Sequence, residues 1–112
     1  MTVDNFRELA LSLPETEERE HMDHPDFRVG GKIFATLRPK DDQGVVMLSP
    51  EQQAEFIKAK PKAFQPVKGG WGKQGATEVL LRAATMTITR DALVAAWRKR
   101  APKKLAALHE NL

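Results

Sequence analysis

The chain has 112 residues, of which 41% are hydrophobic and 29% charged, a balance typical of one globular domain. It contains no cysteine, which excludes a disulfide framework, a thiolate metal site and a cysteine nucleophile. Its apolar runs are far shorter than the ~20 residues that span a bilayer, and its N-terminus lacks the layout of a signal peptide. These properties predict a soluble cytoplasmic protein that does not enter a membrane.

Charge is distributed unevenly along the chain. Residues 1–28 hold eight acidic and three basic side chains, a net charge of −5. Residues 58–104 hold twelve basic and two acidic side chains, a net charge of +10. A basic patch can attract nucleic acid or an acidic protein, whereas solvated lysines and arginines are also common on small proteins with no such partner.

The chain is predicted to begin with a helix. Apolar residues recur at spacings of three and four from Val3 to Leu13, which places them on one helical face. Thr2 can cap the start, and Pro14 ends the helix because proline lacks the N–H that a continuing helix needs. The polar segment 15–25 has no useful period, so the sequence leaves open a loop or an exposed edge strand there.

From Phe27 onward the apolar residues alternate with a period of two. The pair Gly30 and Gly31 interrupts the alternation and predicts a tight hairpin, because glycine reaches the positive φ that such turns require. A turn over 39–44, rich in helix and strand breakers, leads to another strand over 44–48. These segments predict a meander of three antiparallel strands.

The second half of the chain is predicted to contain two helices separated by a long loop and a short strand. The segment 49–52 supplies a capping serine, a proline at the first helical position and a glutamine that completes a capping box. The Gly/Pro/Lys-rich segment 61–77 is predicted to be a loop, and 79–82 a strand. The last helix is predicted to start at Thr89, and Pro102 to kink or restart it. Grouped strands predict an α+β fold in which helices cover one face of an antiparallel sheet.

Several short strings occur in a characteristic order along the chain, namely LSLP at 11–14 with the acidic segment after it, FRVGGKIFA at 27–35, LSPEQ at 48–52, GWG at 70–72 and VLL at 79–81. Through them, nearly the whole chain resembles the MmcQ/YjbR-like family of small bacterial proteins. The resemblance implies a single domain over residues 1–112 with a CyaY-like, or secretion-chaperone-like, α+β fold. It also implies DNA binding, the function with which the family is commonly labelled, and the family has no catalytic motif that could be transferred to this sequence.

The basic residues near the C-terminus are the first candidate binding surface. If the last helix continues through Pro102, Lys99 shares a face with Lys103, and Arg100 shares one with Lys104. A row of such charges can follow a phosphate backbone, where counterion release drives binding that is insensitive to sequence. The alternative is a solvated helix end whose cations interact favourably with the helix dipole.

The loop KGGWGK at 68–73 is the second candidate surface. Its tryptophan lies between glycines and lysines and could stack on an unpaired base. The alternative, which we favour at this point, is that Trp71 folds back onto the sheet, because large aromatic side chains are usually buried. The predicted nucleic-acid-binding residues are Lys68, Trp71, Lys73, Arg82, Arg98, Lys99, Arg100, Lys103 and Lys104.

No catalytic site and no cofactor are predicted, since the chain has no recognisable Ser/His/Asp spacing and no cysteine. His21, Asp23 and His24 are competent metal ligands, but Pro25 disfavours the helix that would place both histidines on one face. An adventitious surface cluster is therefore expected. The leading prediction is a non-enzymatic DNA-binding protein of low specificity. The alternative is a protein-interaction or chaperone-like module that presents a sheet face or edge to a protein partner.

Overall fold

Six strands form one antiparallel sheet, and helices cover one of its faces. The computed structural model describes all 112 residues. No helix is long and apolar enough to cross a bilayer. In chain order the elements are α1 (Val3–Leu11), β1 (Glu17–His21), β2 (His24–Val29), β3 (Lys32–Arg38), a 3-10 turn (Pro39–Asp41), β4 (Gln43–Met47), α2 (Pro50–Ala59), β5 (Phe64–Pro66), α3 (Gly70–Lys73), β6 (Ala76–Leu80), α4 (Met86–Arg100) and α5 (Lys103–Leu108).

The strand order across the sheet is β1-β2-β3-β4-β6-β5, with every neighbouring pair antiparallel. The predicted α+β class is therefore confirmed. The predicted hairpin between β2 and β3 is present, and both Gly30 and Gly31 adopt a positive φ in its turn. A β-bulge between Phe27 and Arg28 shifts the register of that pair.

The core lies between the sheet and the two helices α1 and α4. As the sequence predicts, Leu93, Ala96 and Trp97 on α4 are fully buried. Trp97 also donates its indole N–H to the carbonyl of Pro14 at 3.0 Å, which fixes α4 against the end of the first helical segment. Burial of a large aromatic side chain and satisfaction of its one polar atom make this contact a major contribution to stability.

The predicted starts of α1 and α2 are confirmed by their capping geometry. The Thr2 hydroxyl accepts a hydrogen bond from the amide of Asn5, whose side chain accepts one from the Thr2 amide. Ser49 and Gln52 make the same reciprocal pair at the start of α2. These short-range bonds satisfy amides that the first helical turn leaves free, so the local sequence is sufficient to specify where each helix begins.

The polar segment after the first helix forms an edge strand, β1. Its first four residues are exposed, and each of them is charged. It pairs with β2 on one side only. Charged side chains on such an edge discourage the addition of another strand from a second molecule.

The prediction of one long loop over 61–77 was wrong. This segment contains the three-residue strand β5 and the short helix α3. The following strand also begins three residues earlier than expected, at Ala76. Strand β5 forms because it pairs with β6 across the sheet, with Phe64 opposite Val79. Such long-range pairing leaves no periodic signal in so short a segment.

The predicted start of the last helix was also wrong, whereas the prediction that Pro102 kinks or restarts the helix is confirmed, since α5 begins at Lys103. Helix α4 begins at Met86, where the Thr85 hydroxyl accepts from the amide of Ile88. It ends at Arg100, because Ala101 has ψ 145°, the extended conformation that a following proline imposes. Lys99 and Lys103, and likewise Arg100 and Lys104, would share a face only in a continuous helix, and they therefore lie on separate helices.

Candidate nucleic-acid interface

One face of the sheet is not covered by α1 and α4. Along β4, Val46 belongs to the main core, whereas Val45 and Met47 point to the opposite face. There they form a small cluster with Val67 and Ala76. We call this side of the sheet the open face.

The segment that carries Trp71 is attached to the rim of the open face by two close backbone contacts. A Cβ at Gly72 would lie 1.7 Å from the carbonyl oxygen of Val67, and one at Gly75 would lie 1.9 Å from that of Leu48. Gly75 also has φ +114°, which L side chains rarely adopt. The positions of both glycines therefore require the absence of a side chain.

Helix α2 holds the same segment through one side chain. The Gln53 amide nitrogen donates to the carbonyls of Gly72 and Ala76, both at 3.0 Å. With its backbone fixed in this way, Trp71 remains 46% exposed. The indole is therefore neither a fully buried core residue nor a freely solvated one, and the expectation that it would be buried against the sheet was wrong.

We expect Gly72→Ala to lower the free energy of unfolding by about 1–3 kcal/mol, the usual cost of overpacking. The added methyl must displace the backbone of Val67 or of α3 itself. Urea unfolding followed by circular dichroism measures the loss, and the Trp71 emission maximum should shift. Gly70→Ala is the matched control, because a Cβ at Gly70 meets no atom within 4 Å. An equal loss in both variants would contradict the interpretation.

A cavity of about 350 Å³ opens on this face beside Trp71. It lies at the end of the sheet where β3 begins and β4 ends, and α4 also ends there. No aspartate or glutamate is among its lining residues. The lining comprises the apolar or aromatic residues Ile33, Met47 and Trp71, the polar or basic residues His21, Arg28, Lys32, Thr36 and Arg100, and Gly31.

Arg100 reaches this cavity from the buried side of α4. It follows Leu93 by seven residues and Trp97 by three, so it continues the stripe that packs on the sheet. The Nε atom of Arg100 is buried and has no hydrogen-bond partner in the protein. A buried N–H donor without an acceptor is rare, because it loses its bond to water without replacement.

A buried carboxylate organises two of the basic groups that line the cavity, Arg28 and His21. Asp26 has no exposed side-chain surface, and its two oxygens accept from Arg28 at 2.8 and 3.2 Å. Its Oδ2 also lies 2.7 Å from Nδ1 of His21. The hydrogen bond from Arg28, and then that from His21, lowers the pKa of Asp26 against the opposing effect of burial. The same ion pair raises the pKa of Arg28.

The family model of YjbR matches residues 11–99, most of the chain. The chain belongs to the YjbR family. The crystal structure of the Deinococcus radiodurans protein DR2400, which carries a DUF419 domain, is similar to this fold with a TM-score of 0.75. The two chains are 22% identical, and the similarity covers 92% of this chain and 80% of that one, so it shows a shared fold. A search of curated proteins finds no match.

This YjbR-family chain brings some of the predicted basic residues to one corner of the open face. Arg100 and Trp71 line the same cavity. Lys68 and Lys73 are exposed on either side of Trp71 in the chain. Lys32, which is not among the predicted binding residues, joins them from the start of β3. We call these five residues the Trp71 corner.

The remaining predicted residues of the C-terminal region diverge from this corner. Lys99 lines a different cavity, beside α2, where partial burial and then repulsion from Arg100 lower its pKa. Lys103 is exposed at the start of α5. Lys104 lines a groove of about 670 Å³ that also contains Glu15 and Glu17. The break at Pro102 therefore distributes these charges over several surfaces.

Arg98 is engaged by the end of the chain. Its Nη2 atom donates to the carbonyls of Glu110 at 2.8 Å and His109 at 3.1 Å, with a longer contact to Leu112 at 3.4 Å. These bonds hold the segment after α5 against α4. They occupy Nη2, which a phosphate held by two parallel N–H donors of Arg98 would use, so we leave Arg98 out of the proposed interface.

Arg82 lies at the opposite end of the sheet from Trp71. The end of β6 adjoins the turn between β3 and β4, and the Arg82 Nε is 3.2 Å from the Asp42 Oδ2. Arg38 at the same end pairs with the largely buried Glu78 at 2.9 Å. The structure therefore separates Arg82 from the other predicted residues by the length of the sheet.

Two of the three candidate metal ligands lie near each other, since the ring centroids of His21 and His24 are 6.3 Å apart. No group of three or more His, Cys, Asp or Glu side chains is placed to hold a metal ion. His21 contacts Asp26 instead, while Asp23 and His24 are exposed in and after the β1–β2 turn.

Sequence reasoning missed His21, Arg28 and Lys32 as cavity residues. Arg28 and Lys32 stand in the most specific string of the chain, FRVGGKIFA. Their spacing across the glycine pair indicates a hairpin, but the bulge after Phe27 determines which side chains meet on the open face. A simple alternation does not contain that information.

Proposed function

We propose that this YjbR-family protein is a non-enzymatic DNA-binding protein of low sequence specificity, with the Trp71 corner as its contact surface. One observation carries the proposal. A half-exposed tryptophan lies beside a cavity that basic side chains line and no carboxylate does, next to exposed lysines in the same segment. Lysine and arginine side chains bind phosphate oxygens, and an exposed indole offers a stacking surface to a base.

Low specificity is expected from the chemistry of this corner. The five residues provide cations, which bind the phosphates of any sequence, and one aromatic surface, which can stack on the face that every base presents. Binding by phosphate contacts depends on the release of counterions and weakens steeply with salt.

The test compares the salt dependence of DNA binding in two double variants, measured by fluorescence anisotropy on a duplex. We expect Lys68→Gln/Lys73→Gln to reduce the slope of log K against log salt by roughly 1.8, about 0.9 for each lost phosphate contact. Lys40→Gln/Arg82→Gln is the matched control, since it removes the same charge at the opposite end of the sheet. Its slope should stay close to that of the unmodified protein.

Two outcomes would contradict the proposal. Equal reductions in both variants would indicate attraction by net charge alone, with no defined surface. Absence of binding even at low salt would remove the DNA hypothesis and favour the protein-interaction module instead.

A further inference from the structure

We propose that the cavity beside Trp71 is a binding site for one nucleotide unit, with the phosphate held by Arg100 and Lys32 and the base stacked on Trp71. This inference deepens the proposed function because it names the ligand that the surface selects. The part of it that concerns DNA rests on the proposed function. The inference extends to a free mononucleotide, which shares the chemistry of an unpaired nucleotide in a strand.

The size of the cavity limits the ligand to one unit. Small-molecule sites usually have volumes of roughly 300–1,000 Å³, and this cavity, at about 350 Å³, is near the lower limit. A duplex cannot enter such a space. A single unpaired nucleotide, or its free monophosphate, is of the right order of size.

The charges around the cavity favour an anion. Three permanent cations line it, namely Arg28, Lys32 and Arg100, and no carboxylate does. Asp26 lies behind the wall and neutralises Arg28 through two hydrogen bonds. Lys32 and Arg100 therefore remain uncompensated, since neither makes an ion pair.

Arg100 gives the most specific indication of a phosphate. Its buried Nε has no acceptor in the protein, although a buried donor normally finds one. The protein covers this Nε, so a phosphate in the cavity would meet the terminal Nη atoms of Arg100, which also make no hydrogen bond within the protein. The planar guanidinium can present two parallel N–H donors to phosphate oxygens.

The remaining lining favours a planar ring next to that phosphate. Trp71 forms part of the wall, and Ile33 and Met47 supply apolar surface. Because Nδ1 of His21 is engaged by Asp26, Nε2 is the ring nitrogen left for a ligand. Inorganic phosphate would use only the cations, whereas a nucleotide would also use the indole.

The first arm of the test titrates the protein with deoxyadenosine monophosphate while the tryptophan emission is recorded. We expect quenching, because Trp71 is half-exposed and Trp97 is fully buried. Inorganic phosphate and deoxyadenosine should each bind at least tenfold more weakly, since each lacks one half of the contacts. The quenching should vanish in Trp71→Leu.

Variants of the cations test the phosphate contact by calorimetry. Arg100→Gln should weaken binding of the monophosphate about tenfold or more, as expected for loss of a charge-assisted hydrogen bond. Lys32→Gln, at an exposed position, repeats the test where folding is not at risk. Arg90→Gln on the same helix makes no ion pair and lines none of these cavities, so it should leave binding unchanged.

The second arm replaces the monophosphate with a single-stranded oligodeoxynucleotide. Stronger binding to the single strand than to a duplex, lost in Trp71→Leu and Arg100→Gln, supports the site as a reader of unpaired nucleotides. Binding of the free monophosphate alone supports the site but contradicts the proposed DNA function. If DNA binding depends on Lys68 and Lys73 while the monophosphate does not bind and both cavity variants behave normally, the cavity proposal is wrong and the proposed function stands.

Discussion

Replacing Trp97 with alanine is expected to lower the free energy of unfolding by about 3–5 kcal/mol, the range for deleting a large aromatic side chain from a core. Trp97 is fully buried between α4 and the sheet, and its indole N–H donates to the Pro14 carbonyl. The substitution leaves a large void and an acceptor without its donor. Urea unfolding followed by far-UV circular dichroism measures the difference in midpoint.

The chain supplies a matched control for this change in its second tryptophan. Trp71→Ala removes the same side chain from a half-exposed position, where less apolar surface is returned to water. We expect a loss of about 1 kcal/mol or less for Trp71→Ala. Similar losses at the two positions would contradict the assignment of Trp97 to the core and of Trp71 to a surface.

Replacing Asp26 with asparagine is expected to lower the free energy of unfolding by about 2–3 kcal/mol at neutral pH. Removal of one partner from a fully buried ion pair costs roughly 3–5 kcal/mol. The loss is smaller here because the side chains of Arg28 and His21 are 28% and 35% exposed, so water can solvate the charge that remains. Glu55→Gln, at an exposed position on α2 without an ion pair, is the control.

The pH dependence of that difference follows from the direction of the Asp26 pKa. Its pKa in the folded protein is lowered from the ordinary value of 3.8. The stability that the carboxylate contributes is therefore fully present above about pH 4 and is lost as the pH falls through the folded pKa. The difference in free energy of unfolding between the unmodified protein and Asp26→Asn should be constant near neutrality and should disappear in acid. A gap that widened on acidification would show that the carboxylate is not the stabilising form.

Local signals in the sequence were sufficient for the elements that short-range interactions specify. The capping residues Thr2 and Ser49 act within one helical turn, and the glycine pair determines its own hairpin. Strand β5 and helix α3 depend instead on pairing with β6 and on the approach of Gly72 and Gly75 to distant carbonyls. No window of neighbouring residues contains those contacts.

The same distinction between local and long-range determinants applies to the candidate site. Trp71 and its flanking lysines form one segment, so composition alone identified them. The inclusion of Arg100 together with Lys32 depends on where α4 ends relative to the sheet, and that requires the folded structure. The dispersal of Lys99, Lys103 and Lys104 follows from the restriction that Pro102 places on Ala101, a rule that the sequence did contain.

The contact between Gly30 and Pro102 has a consequence for the helix that ends beside it. A Cβ at Gly30 would lie 2.8 Å from the Pro102 ring, so the hairpin turn and the helix break pack directly against each other. This contact fixes the rotational position of the last turn of α4. One residue inserted between Trp97 and Pro102 would turn the final side chain by about 100° around the helix axis. Arg100 would then leave the cavity although the composition of the basic segment, and its net charge, were almost unchanged. The charge of the open face is therefore a property of helix length more than of the number of basic residues.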